Sequence, residues 1–348
     1  MLTSYENIHK EKSETIPIHR YANFNAEKKG PDIRSLLQHE FELGQKLERE
    51  AEFKLYLLTF LGITIVLVLV FFRGYRERMK ANRRLSRAYA EIENKNKDMS
   101  DSITYARQIQ KARLPDPELI LEAFSEAFGL YKPKDIVSGD FYWFAHTKSG
   151  KVILAAADCT GHGIPGAFMS LIGMDILNYA VIENQLSNPT EILECVNISM
   201  KKAMKQKDES SGTRDGMDIV LCVFDFEEME LSYAGAHRPL VVVRKGEVTE
   251  YKPTKQAIGG LTADDQVFET QKICLRKNDM VYLFSDGYSD QFGGPRNKKF
   301  SSRKFKDLLS RIYSLPACTQ ENLLEQTFEN WRENNDQLDD VLVMGVRI

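Results

Sequence analysis

The chain has 348 residues, room for two or three domains, with a globular composition. A formal net charge of −3 argues against a general nucleic-acid binder. The five cysteines, Cys159, Cys195, Cys222, Cys274 and Cys318, are scattered, odd in number and free of C-x-x-C spacing, which fits thiols in a reducing compartment and not a disulfide frame or zinc site.

Residues 1–53 are polar and rich in Glu, Lys and Arg, turning helical from about Asp32, where Leu36, Leu37, Phe41 and Leu47 recur loosely. No early apolar run follows Met1, so no cleavable signal peptide is expected. Leu55–Phe72, LYLLTFLGITIVLVLVFF, carries no charge; as a helix it is about 27 Å long, close to the hydrocarbon thickness of a bilayer. A transmembrane helix over 54–73 is expected, because its flanks are densely charged and no neighbouring segment would bury it on all sides. Arg73, Arg76, Arg78, Lys80, Arg83, Arg84 and Arg87 follow at once, whereas Glu40, Glu42, Glu48, Glu50 and Glu52 dominate the other side. The positive-inside rule then places everything after Arg73 in the cytoplasm, a single-pass arrangement at the inner membrane.

Residues 74–117 read as a linker helix. Leu85, Ala88, Ile92, Met99, Ala106 and Ile109 fall near a and d positions of a heptad that Lys95 and Ser102 interrupt, a weak coiled coil that would join two chains into a homodimer. The alternative is a solvated single helix that spaces the domain from the membrane. Pro115 and Pro117 close it. The rest, 118–348, has a different texture. Ile136–His146 and Lys151–Asp158 read as a strand pair, Pro165–Glu183 and Thr190–Lys207 as two helices, and Lys205–Asp215 as a mobile loop. Six strands follow, Met217–Phe226, Glu230–Ala236, Leu240–Lys245, Glu247–Tyr251, Val267–Leu275 and Asp279–Ser285, spaced as an antiparallel meander. Ser302–Tyr313 and Gln320–Glu333 form a second helix pair, and Val341–Ile348 a last strand. Strands flanked by two helix pairs predict an α+β fold, two sheets face to face with helices outside, a four-layer α-β-β-α sandwich.

Acidic residues recur at the edges of these strands. Asp140 lies in VSGDFYW, Asp158 ends an apolar strand before a two-glycine loop, Asp286 ends VYLFSDG, and Asp339 and Asp340 open the last strand. Each alone is an ordinary turn or cap residue; four strands with the same device are not. If the edges meet, the crowded carboxylates call for cations, and an all-oxygen set suits Mg²⁺ or Mn²⁺ better than zinc. His162 either protonates a leaving oxygen or orients its loop. His237 and Arg238, in YAGAHRP, read better as a structural turn than as site residues. Asp218 and Asp290 stand second in rank, Asp290 as a further ion ligand or a cap, and Arg214 is one candidate for a phosphate-facing cation.

SGD at 138–140, DCTGHG at 158–163, SDG at 285–287 and DD at 339–340, in this order, resemble the SpoIIE-type phosphatases, the bacterial branch of the PPM-type serine/threonine protein phosphatases. ARQIQKARLP at 106–115 is similar to the linker helix that precedes their catalytic domain. The resemblance implies the PPM sandwich, two Mn²⁺ or Mg²⁺ ions, and hydrolysis of phosphoserine or phosphothreonine in a phosphorylated regulatory protein such as an anti-sigma-factor antagonist, under control of the linker helix. It further implies that Asp158 touches both ions, that the Cys159 carbonyl ligates one, that Asp286 and Asp339 complete the pair, and that Asp140 lies near or acts through water. Most relatives carry Val or Gly at the place of Cys159, a change that leaves a backbone carbonyl in place. Asp339 and Asp340 face opposite ways on a strand, and the family pattern favours Asp339. The competing expectation is a catalytically silent phosphatase-like scaffold.

Overall fold

The computed structural model describes residues 31–206, 214–260, 263 and 265–348, and the chain divides into two units, Met1–Asn94 and Lys95–Ile348. The polar segment 1–30 and the middle of the expected loop Lys205–Asp215 lie outside the described residues. The helical stretches expected from Asp32, over Leu55–Phe72 and over Tyr75–Leu114 belong to one helix, α1, Pro31–Arg113. In the first unit its apolar run is exposed throughout, Leu55 to Phe72 included.

The second unit carries the sandwich. After the end of α1 comes α2, Pro117–Ala123, capped by the Asp116 carboxylate, which accepts from the Glu118 N–H at 3.1 Å. One sheet runs in the order β1 (Glu126–Lys132), β13 (Val341–Arg347), β10 (Met280–Phe284), β6 (Leu240–Arg244) and β7 (Glu247–Tyr251). The other runs β2 (Phe141–His146), β3 (Val152–Cys159), β4 (Gly216–Asp225), β5 (Glu230–Ala236) and β9 (Gln271–Cys274), with the two-residue β8 (Ile258–Gly259) beside β4. Every one of these strand pairs is antiparallel. Helices α3 (Gly163–Asn178, continued by a π turn over Tyr179–Glu183) and α4 (Pro189–Ala203) cover the second sheet. Beyond β10, the short α5 (Gly287–Asp290) and the ribbon of β11 (Phe292–Gly293) and β12 (Lys298–Lys299) lead to α6 (Ser302–Ile312) and α7 (Ala317–Arg332), which cover the first sheet.

Strand periodicity sorts the core into layers. In β3, Val152, Leu154 and Ala156 face the other sheet, while Ile153, Ala155 and Ala157 face α3 and α4. In β13, Leu342, Met344 and Val346 point between the sheets, and Val341 and Val343 toward α6 and α7. The four-layer α-β-β-α order follows.

The expected meander is corrected. The chain makes the β4–β5 hairpin in one sheet, crosses at His237–Pro239 to make β6–β7 in the other, returns for β9, and crosses again for β10. β4 and β6 are apolar and buried on both faces, so each packs in a central layer and not in a half-exposed meander. Ile136–Asp140 is loop; the strand starts at Phe141. β1 has no counterpart among the expected strands, because Gly129 in its middle and Glu126 and Lys132 at its ends weaken the pattern.

Candidate metal centre

Register places the acids. Phe141 pairs with Ala157, and Asp158 pairs with Asp218, so Asp140, Asp158 and Asp218 stand at one end of three adjacent strands and share the face that looks toward the other sheet. From that other sheet come Asp286, just past β10, and Asp339 and Asp340, just before β13. Electrostatic influence links the six as a chain of neighbours, centred on Asp158. Burial first, then the charges of Asp286, Asp339 and Asp218, push the Asp158 carboxyl up to about 7, against the lowering pull of Arg238. Asp140 is 2% exposed, and burial, then the charge of Asp158, pushes its carboxyl well above the usual range. Burial likewise raises Asp339.

The loops that carry these acids are packed backbone to backbone. A Cβ on Gly139 would lie 2.5 Å from the Gly161 carbonyl oxygen, and one on Gly166 2.2 Å from the same atom, so the SGD and DCTGHG loops touch where side chains would hold them apart. A Cβ on Gly287 would lie 1.9 Å from the Asp340 carbonyl oxygen, which ties SDG to DD in the same way. The Ser285 hydroxyl accepts from the Leu342 N–H at 3.0 Å across that join. Asp340 spends both oxygens on backbone, accepting from the Lys134 N–H and the Gly139 N–H, each at 2.7 Å. Asp339 accepts the Asp340 N–H at one oxygen, 2.9 Å.

The end of α1 reaches the same loop. Gln110, 3% exposed, donates from Nε2 to the Ser138 carbonyl at 2.6 Å and to Ser170 Oγ at 2.8 Å, and accepts the Ser138 N–H at Oε1 at 3.1 Å. The Ser138 hydroxyl in turn accepts the Asp140 N–H at 3.0 Å. Arg113 forms an ion pair with Asp175 of α3.

Two cations stand at the cluster. Arg238, on the turn where the chain changes sheets, places Nη2 2.6 Å from Asp158 Oδ2, 2.8 Å from Asp286 Oδ2 and 3.2 Å from Asp218 Oδ2. The preference for a structural turn over a site residue is therefore corrected for Arg238, since the side chain is a hub of the acid cluster. The readable signal was a lone arginine at the head of an apolar strand. Lys134 lies at the rim, its Nζ 2.9 Å from His162 Nε2, while His162 Nδ1 lies 2.7 Å from Asp135 Oδ2. His162 itself is the cap residue of α3. Asp290 pairs with Lys299 at 2.7 Å. Arg214 is exposed, and no described contact links its guanidinium to the cluster. The Cys159 thiol is buried, raised well above its usual value by burial.

Among the described residues, no group of three or more His, Cys, Asp or Glu side chains is arranged at ligating separation. The donor set nevertheless fits hard divalent cations. Asp140 Oδ2 is buried without a hydrogen-bond partner, and six carboxylates at one sheet end face far less positive charge than they carry.

The fold and site can now be set beside known proteins. Residues 148–348 match the family described as Stage II sporulation protein E (SpoIIE). The chain is similar to the SiaA-PP2C domain of Pseudomonas aeruginosa, at 30% identity and a TM-score of 0.66, over 73% of this chain and 98% of that one. It shares the fold of the PP2C phosphatase domain, solved with a fragment of the regulatory domain, of SpoIIE from Bacillus subtilis, at 18% identity and a TM-score of 0.53, over 64% of this chain and 63% of that one. No curated protein sequence matches the chain. The chain belongs to the SpoIIE family, and its sandwich is a PP2C/PPM-type serine/threonine phosphatase domain.

Proposed function

We propose that the protein is a membrane-anchored, metal-dependent phosphatase that removes phosphate from serine or threonine in a regulatory partner protein. The observation that supports the reading is the gathering of Asp140, Asp158, Asp286 and Asp339 from both sheets within electrostatic reach of one another, with a buried Asp140 oxygen still unpartnered. Asp158, Asp286, Asp339, Asp140 and the Cys159 carbonyl would hold two Mn²⁺ or Mg²⁺ ions. Such ions, when bound, supply activated water and charge stabilisation for phosphoryl transfer.

The remaining roles fall to the chain's own groups. Lys134, the cation at the rim beside His162, binds the incoming phosphoryl oxygens. His162 has Nδ1 on Asp135 and Nε2 accepting from the Lys134 ammonium; once the phosphoryl group draws Lys134 away and Nε2 takes up a proton from solvent, the imidazolium would pass it to the departing serine or threonine oxygen. Asp340 fixes the Lys134 and Gly139 backbones and takes no part in ligation. The substrate is a phosphoprotein of the anti-sigma-factor-antagonist kind, an assignment that rests on the family resemblance. The apolar run 54–73 anchors the chain, the phosphatase domain 118–348 lies in the cytoplasm, and the exposed heptad residues of 74–117, Leu85, Ile92, Met99 and Ile109, pair two copies.

Asp158→Asn is the decisive test. Mn²⁺-dependent hydrolysis of p-nitrophenyl phosphate should fall by about two orders of magnitude or more, beyond what an outer-shell partner costs, with thermal unfolding of the variant intact. Full activity in the folded variant would overturn the ligand assignment; calorimetry finding no Mn²⁺ binding to the wild type would leave a silent scaffold.

A further inference from the structure

Arg238 does more than balance charge. A single nitrogen, Nη2, meets one oxygen from each of three carboxylates, 2.6 Å from Asp158, 2.8 Å from Asp286 and 3.2 Å from Asp218. The guanidinium is drawn in end-on: its side chain is 14% exposed, and its Nε is buried without a partner. An arginine whose role is to brace a fold normally forks onto a carboxylate with two nitrogens. Here the tip alone is engaged, and it is engaged where the carboxylates of both sheets converge. His237 takes the other oxygen of Asp218, its Nδ1 lying 3.0 Å from Oδ1, so Asp218 is held from two sides. The backbone has little freedom to withdraw the arginine, since His237 sits at φ 55 and Pro239 follows.

The two oxygens hydrogen-bonded to Nη2 belong to Asp158 and Asp286, ligands in the reading above, on which this inference rests. A hard divalent cation needs those carboxylates at about 2.0–2.2 Å, stripped of competing donors. A guanidinium and a divalent ion in the same small basket repel one another in a partly buried site where screening is weak. Nη2 thus sits on the same carboxylate oxygens that such ions would need.

We propose that Arg238 is a built-in competitor for the divalent cations: it neutralises the acid cluster in their place and sets the free Mn²⁺ or Mg²⁺ concentration at which the centre loads. Loading displaces the guanidinium from Asp158 and Asp286 by side-chain rotation about a fixed turn. Without that internal cation the cluster would bind divalent ions more tightly and repel itself more strongly when they are withheld.

The test titrates Mn²⁺ by calorimetry into the full chain, solubilised in detergent and stripped with chelator, as wild type, Arg238→Gln, Arg238→Lys and Asp158→Asn. Arg238→Gln should bind Mn²⁺ tighter by about tenfold or more, and Arg238→Lys, which keeps the charge, should stay within about threefold of wild type. Metal-free Arg238→Gln should unfold at a lower temperature than wild type, with the gap closing at saturating Mn²⁺. A second measurement needs no variant: phenylglyoxal should modify Arg238 of the wild type slowly in chelator and faster with Mn²⁺, read by mass spectrometry. Equal or weaker binding by Arg238→Gln, or an unchanged modification rate, overturns the proposal while Mn²⁺ binding by wild type and its loss in Asp158→Asn leave the phosphatase reading standing. Absence of binding in all four proteins overturns both.

Discussion

Asp339 and Asp340 are adjacent, identical in type and differently bonded. Both oxygens of Asp340 accept backbone N–H groups, from Lys134 and Gly139, and the residue is 3% exposed. Asp339 accepts one N–H and has a second oxygen to offer. Asp340→Asn turns one acceptor into a donor aimed at an N–H, which should lower the urea midpoint by the equivalent of about 1–3 kcal/mol and loosen the SGD loop. Asp339→Asn should leave the midpoint within about 0.5 kcal/mol of wild type and reduce turnover instead. A reversed pattern would exchange their roles. The sequence revealed the pair but not the division of labour, because strand alternation says that neighbours face apart and not which of them finds N–H groups. The same limit hid Arg238. Composition marks HRP as a turn, but the inward aim of the side chain is set by the left-handed backbone at His237 and by where the second sheet happens to lie.

At the scale of elements, the contact that matters is the one between the end of α1 and the loop before β2. Gln110 makes three hydrogen bonds there, two to Ser138 backbone atoms and one to Ser170 of α3, and Ser138 holds the Asp140 N–H. Gln110→Ala would strand buried polar groups and should cost about 2–3 kcal/mol of stability, with phosphatase activity falling further than the stability loss accounts for. Lys111→Ala, one residue along on the exposed side, should change stability by less than about 0.5 kcal/mol; equal effects from the two would mean that the contact is ordinary packing. The helix itself was legible from its uninterrupted polar-apolar run, and so were the hairpins, α3, α4, α6 and α7. The sheet to which each hairpin belongs was not. β5 from Tyr233 onward and β6 are consecutive and buried on both faces, so no local signal separates a turn within one sheet from a crossing between two. Only the long-range pairing of β6 with β10, and of β5 with β9, decides it.

At the scale of the whole molecule, two segments among the described residues are long and apolar enough to cross a bilayer, and their surroundings distinguish them. Gly163–Glu183 is more than half buried, its Met169, Met174 and Leu177 packed on the β2–β3–β4 sheet, as expected of a core helix. The apolar window of α1 is not buried at all, and its Leu, Val, Ile and Phe side chains from Leu55 to Phe72 stand outward all round. In water such a surface would aggregate or need a protein cover; in lipid it needs neither. The full chain should therefore sediment with membranes after washing in high salt and be released by detergent. Placing lysines at Leu61 and Val66, near the middle of the run, adds about 2.5–3.5 kcal/mol each to the cost of insertion, and should shift the protein to the soluble or aggregated fraction. Release of the unaltered chain by salt alone would mean that protein, not lipid, covers the run, and the anchoring assignment would fall while the acid cluster and its chemistry stood unaffected.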